Sequence, residues 1–173
     1  MATTAPELAV AAELFSLDFD EIEPGMRFRT RGRTITESDV TGFGTLTGDL
    51  HPVHTDAEWA RESIFGERIA HGMLVLSYAV GLVPLSPERA LALRRIRDAT
   101  FKAPARLGDT IRVEGEVTDV KALDDGVGQV SCAWKILGPS RKPLVRATID
   151  VLWRRGTPPS PGDDKSMSGR VLL

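Results

Sequence analysis

An aspartate and a histidine stand five positions apart in Thr47-Gly48-Asp49-Leu50-His51-Pro52-Val53-His54-Thr55-Asp56, with a proline between them. Pro52 fixes its own backbone and biases His51 toward an extended conformation, while Gly48 allows a turn just before the acid. Two polar side chains on a stiffened turn can be aimed at one point, which general acid–base chemistry on a small molecule requires. All three histidines (His51, His54 and His71) lie in this stretch or shortly after it. A second piece follows at Ile69-Ala70-His71-Gly72-Met73-Leu74, where a glycine opens a strongly apolar segment. An acid–base pair, then a glycine at the mouth of an apolar helix, points to an enzyme.

Other uses of these residues are weaker. A metal site from His51, His54 and His71 matches no familiar zinc spacing, and Cys132 is far away in sequence. No metal and no bound cofactor is expected. His51 and His71 read as structural or pocket-lining, and Asp56 reads as a helix cap. Met73 and Tyr78 read as core.

The elements that must position the pair are legible from pattern. Residues 27–34 read as a first strand, and Thr36-Glu37-Ser38-Asp39 reads as a capped helix start. Residues 56–63 read as a short helix. Residues 73–83 form a third, apolar around almost its whole circumference and stopped by Pro84, so it is expected to be buried on most sides. Strands are expected over 93–103, 110–117, 128–137 and 144–153. In the second, Ile111, Val113 and Val117 alternate with charged residues. Turn signals at 106–109, 124–126 and 138–139 separate them, which predicts an antiparallel meander. One apolar helix ahead of a one-faced antiparallel sheet implies an α+β domain whose sheet curls around the helix.

Composition bounds the rest. The 173 residues fit one domain, with 42% hydrophobic content and a formal charge of −2 that gives no global case for nucleic acid. The single cysteine, Cys132, cannot form an internal disulfide. The N-terminus lacks the pattern of a secretory signal, and the apolar run 73–83 falls short of the roughly 20 residues a bilayer needs. A cytoplasmic protein with no membrane partner is expected. The domain is expected over 17–155, after a loose lead at 1–16 and before a flexible tail at 156–173, rich in proline, glycine and charge.

The chain resembles the MaoC-like dehydratases, or R-specific enoyl-CoA hydratases, of the hot-dog fold. Residues 48–56 match the family's hydratase motif and His71-Gly72-Met73 its later His-Gly-Met, and the likeness runs from about residue 19 to 154. The resemblance implies that Asp49 and His54 activate water. It also implies that the Gly72 amide donates to the carbonyl of an acyl thioester carried by coenzyme A or an acyl carrier protein. It further implies a homodimer with sites at the interface. Two positions depart from the pattern: His51 replaces the usual asparagine, and Val80 stands where some members carry a serine that bonds the catalytic aspartate.

These residue types suit that chemistry. Adding water to an alkene conjugated with a thioester needs a base for water, an acid for the α-carbon and a donor for the oxygen that gains enolate character. His54 can accept a proton near neutral pH, since an imidazole ordinarily titrates at about 6.5. A backbone amide at Gly72 would lie along the positive end of a helix dipole. A hot-dog thioesterase and a non-catalytic partner subunit are the competing readings. The Asp49/His54 spacing argues against the first and the intact pair against the second. The basic run Arg94-Arg95-Ile96-Arg97 could meet coenzyme A phosphates, but alternating charge on a strand is usually a solvated face.

Overall fold

The structure, a computed structural model, describes residues 9–156. The start of the lead and the tail beyond Gly156 lie outside the described residues.

Four long strands carry the domain: β4 (Ala90–Phe101), β5 (Thr110–Ala122), β6 (Val127–Leu137) and β7 (Pro143–Arg154). Strands β5, β6 and β7 form the expected antiparallel meander, with Val113 opposite Ile136 and Cys132 opposite Ile149. Period-2 alternation sends Ile111 and Val113, Cys132 and Trp134, and Ile149 and Val151 to one buried face. Asp124 closes the first hairpin: its Oδ1 accepts from the amides of Gly126 and Val127, both at 2.8 Å.

The meander does not extend to β4. This strand pairs with β7, so the sheet runs β1 (Ala9–Val10), β2 (Arg27–Arg29), β5, β6, β7, β4 and β4 is an edge. The turn signal at 106–109 therefore ends a crossover instead of a hairpin. That crossover is pinned where the Ala70 amide donates to the Ala105 carbonyl (2.8 Å) and the Gly108 amide to the Ile35 carbonyl (2.8 Å).

Helix α5 (Gly72–Leu82) lies in the hollow of this sheet, with Leu74, Val75, Leu76, Ala79 and Leu82 buried. Each large apolar side chain buried there contributes about 1.5–3 kcal/mol of transfer free energy. The helix stops at Val83, ahead of Pro84, as expected. It is wet on one side, however: Met73 is 56% exposed, not core, and Ser77 and Gly81 are also exposed.

The first strand expected at 27–34 is two short ones, β2 (Arg27–Arg29) and β3 (Arg33–Thr34), both against β5 and separated around Gly32. The described part of the lead is not loose. Strand β1 (Ala9–Val10) pairs parallel to β2, and α1 (Ala11–Leu14) follows. Phe15, 1% exposed, then sets its ring edge-on to Phe28 at 5.0 Å. The core thus begins before residue 17, because Leu14 and Phe15 fill it. Between β3 and α5 run α2 (Glu37–Thr47), α3 (Pro52–Thr55) and α4 (Ala57–Glu62). Among the described residues no helix is long and apolar enough to cross a membrane.

Candidate active site

Helix α2 starts on the expected capping box. Thr36 Oγ1 accepts from the Asp39 amide (3.3 Å) and Asp39 Oδ2 accepts from the Thr36 amide (2.8 Å). It ends at Gly48, whose φ of 78° is left-handed and whose amide donates to the Gly44 carbonyl. Asp49 follows at once, its carboxylate exposed and within 3.4 Å of the His51 amide.

Helix α3 is a single turn with Pro52 at its first position. His51 caps it, Nδ1 accepting from the Val53 amide at 3.1 Å. His54 stands one turn later. Its Nδ1 donates to the Ile69 carbonyl at 2.8 Å, because a carbonyl oxygen can only accept. Among the described residues Nε2 is left without a hydrogen-bond partner. Ile69 is itself held, its amide donating to the Val53 carbonyl (3.2 Å). Next to it, Arg68 grips Glu37 with two bonds of 2.8 and 2.6 Å.

These groups open on a cavity of about 460 Å³, within the range of small-molecule sites. Asp49, His54, His71 and Gly72 line it, and Phe65, Val75, Phe101, Leu144 and Val145 make it largely apolar. Burial is the main cause that holds the His54 imidazole below its ordinary pKa of 6.5. The bond to Ile69 and the charge of Asp49 oppose that shift, while His71 and His51 reinforce it. His54 is therefore an unprotonated base at neutral pH.

Gly72 is the first residue of α5, and His71 ahead of it gives the first turn no side-chain cap. The helix thus presents its positive end to the cavity. A side chain at Gly72 would need the Phe101 ring to move, since a Cβ there would lie 2.7 Å from Phe101 Cε1.

Asp49, His54 and His71 each offer a ligand atom within 4.8 Å of the others. The two imidazoles are nevertheless stacked, with centroids 3.8 Å apart and planes at 29°. Their in-plane lone pairs run side by side instead of converging on an ion about 2.0–2.1 Å away, so the arrangement is poorly suited to zinc.

The three residues singled out for chemistry, Asp49, His54 and Gly72, meet in this one cavity. His51 lies beside it as a cap, a place that another capping residue could fill. Asp56 caps α4, accepting from the Glu58 and Trp59 amides at 2.9 and 3.0 Å. Val80 packs against the core, roughly 12 Å along the helix from Gly72 at 1.5 Å per residue. Tyr78 also packs against the core, with the Arg33 guanidinium 3.8 Å over its ring. The basic run is engaged within the chain: Arg97 binds Asp150 at 3.0 and 2.8 Å, and Arg94 reaches Gln129 at 2.9 Å. Cys132 is buried, its thiol pushed up to about 12 by desolvation, so it is no nucleophile. Two contributors escaped the sequence. Ile69 acts through its carbonyl, which no side-chain pattern signals, and Phe101 sits on an edge strand whose neighbours pattern alone did not identify.

Residues 19–133 match the family described as MaoC like domain. The 3-hydroxybutyryl-CoA dehydratase of Methylorubrum extorquens is 35% identical over 112 residues, which are 62% of this chain and 68% of that protein. Protein MaoC of Klebsiella aerogenes is 42% identical over 96 residues, 55% of this chain; the match spans only 29% of that longer protein. The unliganded R-hydratase PhaJ1 of Pseudomonas aeruginosa superposes with a TM-score of 0.66 at 30% identity, over 80% of this chain and 86% of that one. A Mycobacterium tuberculosis protein with a double hotdog fold gives a TM-score of 0.73 over 92% of this chain and 52% of its own. At 19% identity that likeness speaks to fold alone, and the fold is the hot-dog.

Proposed function

Because the chain belongs to the MaoC-like dehydratase family, whose relatives here carry hydratase and dehydratase names, we propose that it hydrates a trans-2-enoyl thioester reversibly to an R-3-hydroxyacyl thioester. One observation carries the reading. His54, fixed by Ile69 so that only Nε2 is free, stands with the Asp49 carboxylate at an apolar cavity headed by the first turn of α5.

His54 Nε2 takes a proton from a water that Asp49 also holds, and the water oxygen bonds to C3. The electron pair of the alkene moves toward the thioester, whose oxygen gains negative charge against the Gly72 amide. The proton then passes to C2, and the site returns to its starting state. One water held by both groups delivers its hydroxyl and proton to the same face, which gives syn addition. Coenzyme A suits the reading as acyl carrier, and the free, buried Cys132 suits a reducing cytoplasm.

The assembly belongs to the same proposal. Strand β4 is a 12-residue edge on which Leu93, Ile96 and Phe101 are partly exposed, and Phe101 at its end lines the cavity. Such an edge is normally covered, and a second copy would cover it. Sedimentation should therefore find a dimer, and a fully active monomer would remove this part of the reading.

The deciding experiment offers trans-2-enoyl-CoA thioesters of graded chain length, including crotonyl-CoA in heavy water. An R-3-hydroxyacyl product with syn deuterium is expected. An S product or anti addition would sink the single-water picture, and release of free coenzyme A thiol would make the protein a thioesterase.

A further inference from the structure

His71 is 2% exposed, yet among the described residues its Nδ1 has no hydrogen-bond partner and its side chain does not cap α5. What it does instead reaches both members of the acid–base pair. Nε2 donates to the backbone carbonyl of Asp49 at 2.9 Å, across 22 residues of sequence. The ring lies flat on His54, centroids 3.8 Å apart, with Phe43 at 5.0 Å as a further ring contact. Gly44 permits the approach: a Cβ there would stand 3.2 Å from the Asp49 carbonyl oxygen and 3.6 Å from His71 Cε1.

The consequence follows from how little else holds Asp49. It sits on an exposed turn, where its amide donates to Thr47 Oγ1 at 3.3 Å, and among the described residues its carboxylate has only the 3.4 Å bond from the His51 amide. A buried donor on its carbonyl therefore fixes the direction of the acid. The stacked face of the same residue fixes the plane of the base. We infer that His71 is the positioning residue of this site, setting Asp49 and His54 relative to each other through one hydrogen bond and one ring face. The inference rests on the hydratase reading for its rates but not for its geometry.

Two variants separate the two contacts. His71→Phe keeps a flat ring against His54 and removes the donor. His71→Gln keeps an N–H near the place of Nε2 and removes the ring. With the donor lost, kcat for enoyl-CoA should fall about 10- to 100-fold, the scale of a small misplacement of a reacting group. KM should change by no more than about threefold, since Phe still lines the cavity with a ring and the loss falls on the alignment of Asp49 and His54. His71→Gln should recover part of that loss. Gly44→Ala, which presses on the same carbonyl, should move kcat in the direction of His71→Phe.

A second readout needs no turnover. The titratable groups facing His54 are His71 from the start of α5, Asp49 from the turn after α2 and His51 at the head of its own helix. Replacing His71 by Phe removes one repelling group, so the His54 imidazole followed by NMR should titrate at higher pH. Folded variants with wild-type kcat and an unmoved His54 titration would overturn the inference, leaving His71 as core packing. Should His71→Phe fail to fold, His71→Gln and Gly44→Ala carry the same comparison. A wild-type protein that hydrates no enoyl-CoA while its variants still shift His54 would defeat the hydratase reading and leave the positioning role standing.

Discussion

Gly72 and Phe101 are closer than a side chain at position 72 would allow while the ring keeps its place. The Phe101 ring atoms Cε1, Cδ1 and Cζ would lie 2.7, 2.9 and 3.2 Å from a Cβ on Gly72. The glycine that opens α5 is thus required twice, once for an unobstructed amide and once for a ring on the edge strand. Phe101 is 49% exposed, so its ring can swing away. Gly72→Ala is therefore expected to fold, with Phe101 displaced and kcat/KM for enoyl thioesters lowered at least about tenfold. Phe101→Ala in the same chain should relieve the clash, so thermal unfolding of the two single variants and the double should show losses that do not add.

Removing either half of the acid–base pair should leave the fold intact. Asp49 is exposed and His54 half-buried, and neither fills the core. Asp49→Asn and His54→Ala should each lower the hydration rate on the order of 10²–10⁴-fold. The double variant should be little worse than either, because the two hold one water and act as a unit. A folded Asp49→Asn protein with wild-type kcat would defeat the assignment.

The pH profile has a fixed sign. Protonation of His54 removes the base, so the rate falls as pH drops through its pKa. Burial holds that pKa below 6.5, so the acid limb of kcat/KM should lie below pH 6.5. Stability follows the same direction: the unfolded imidazole binds its proton first, and what this site contributes above about pH 6.5 is lost as pH falls. A limb centred above 6.5 would contradict the burial seen here.

His51→Asn should be nearly silent. Asparagine is a strong N-cap and can accept from the Val53 amide as His51 Nδ1 does now. His51→Ala should cost about 0.5–2 kcal/mol in unfolding free energy. It should also lower kcat, because the turn it caps carries His54.

Sequence by itself determined the parts that depend on local chemistry. The Thr36 and Asp56 caps, the stop at Pro84, the three-strand meander and the pairing of Asp49 with His54 around Pro52 all follow from short-range propensity or period. The tertiary structure alone decided what depends on neighbours distant in the chain. Strand β4 reads like any other strand, yet it leaves the hairpin order and pairs with β7 as an edge, setting Ile96 opposite Ile149, a partner too distant in the chain for local pattern to name. Leu14 and Phe15 carry no pattern in the lead, yet both are buried, Phe15 with its ring against Phe28. The chemical type of His71 is plain in the sequence, but its role is not. Its bond to Asp49 spans 22 residues, and its stacking on His54 exists only once α5 is laid across the sheet. The site is local in its chemistry and global in its alignment, since side-chain identity travels with the sequence and relative position is set by packing.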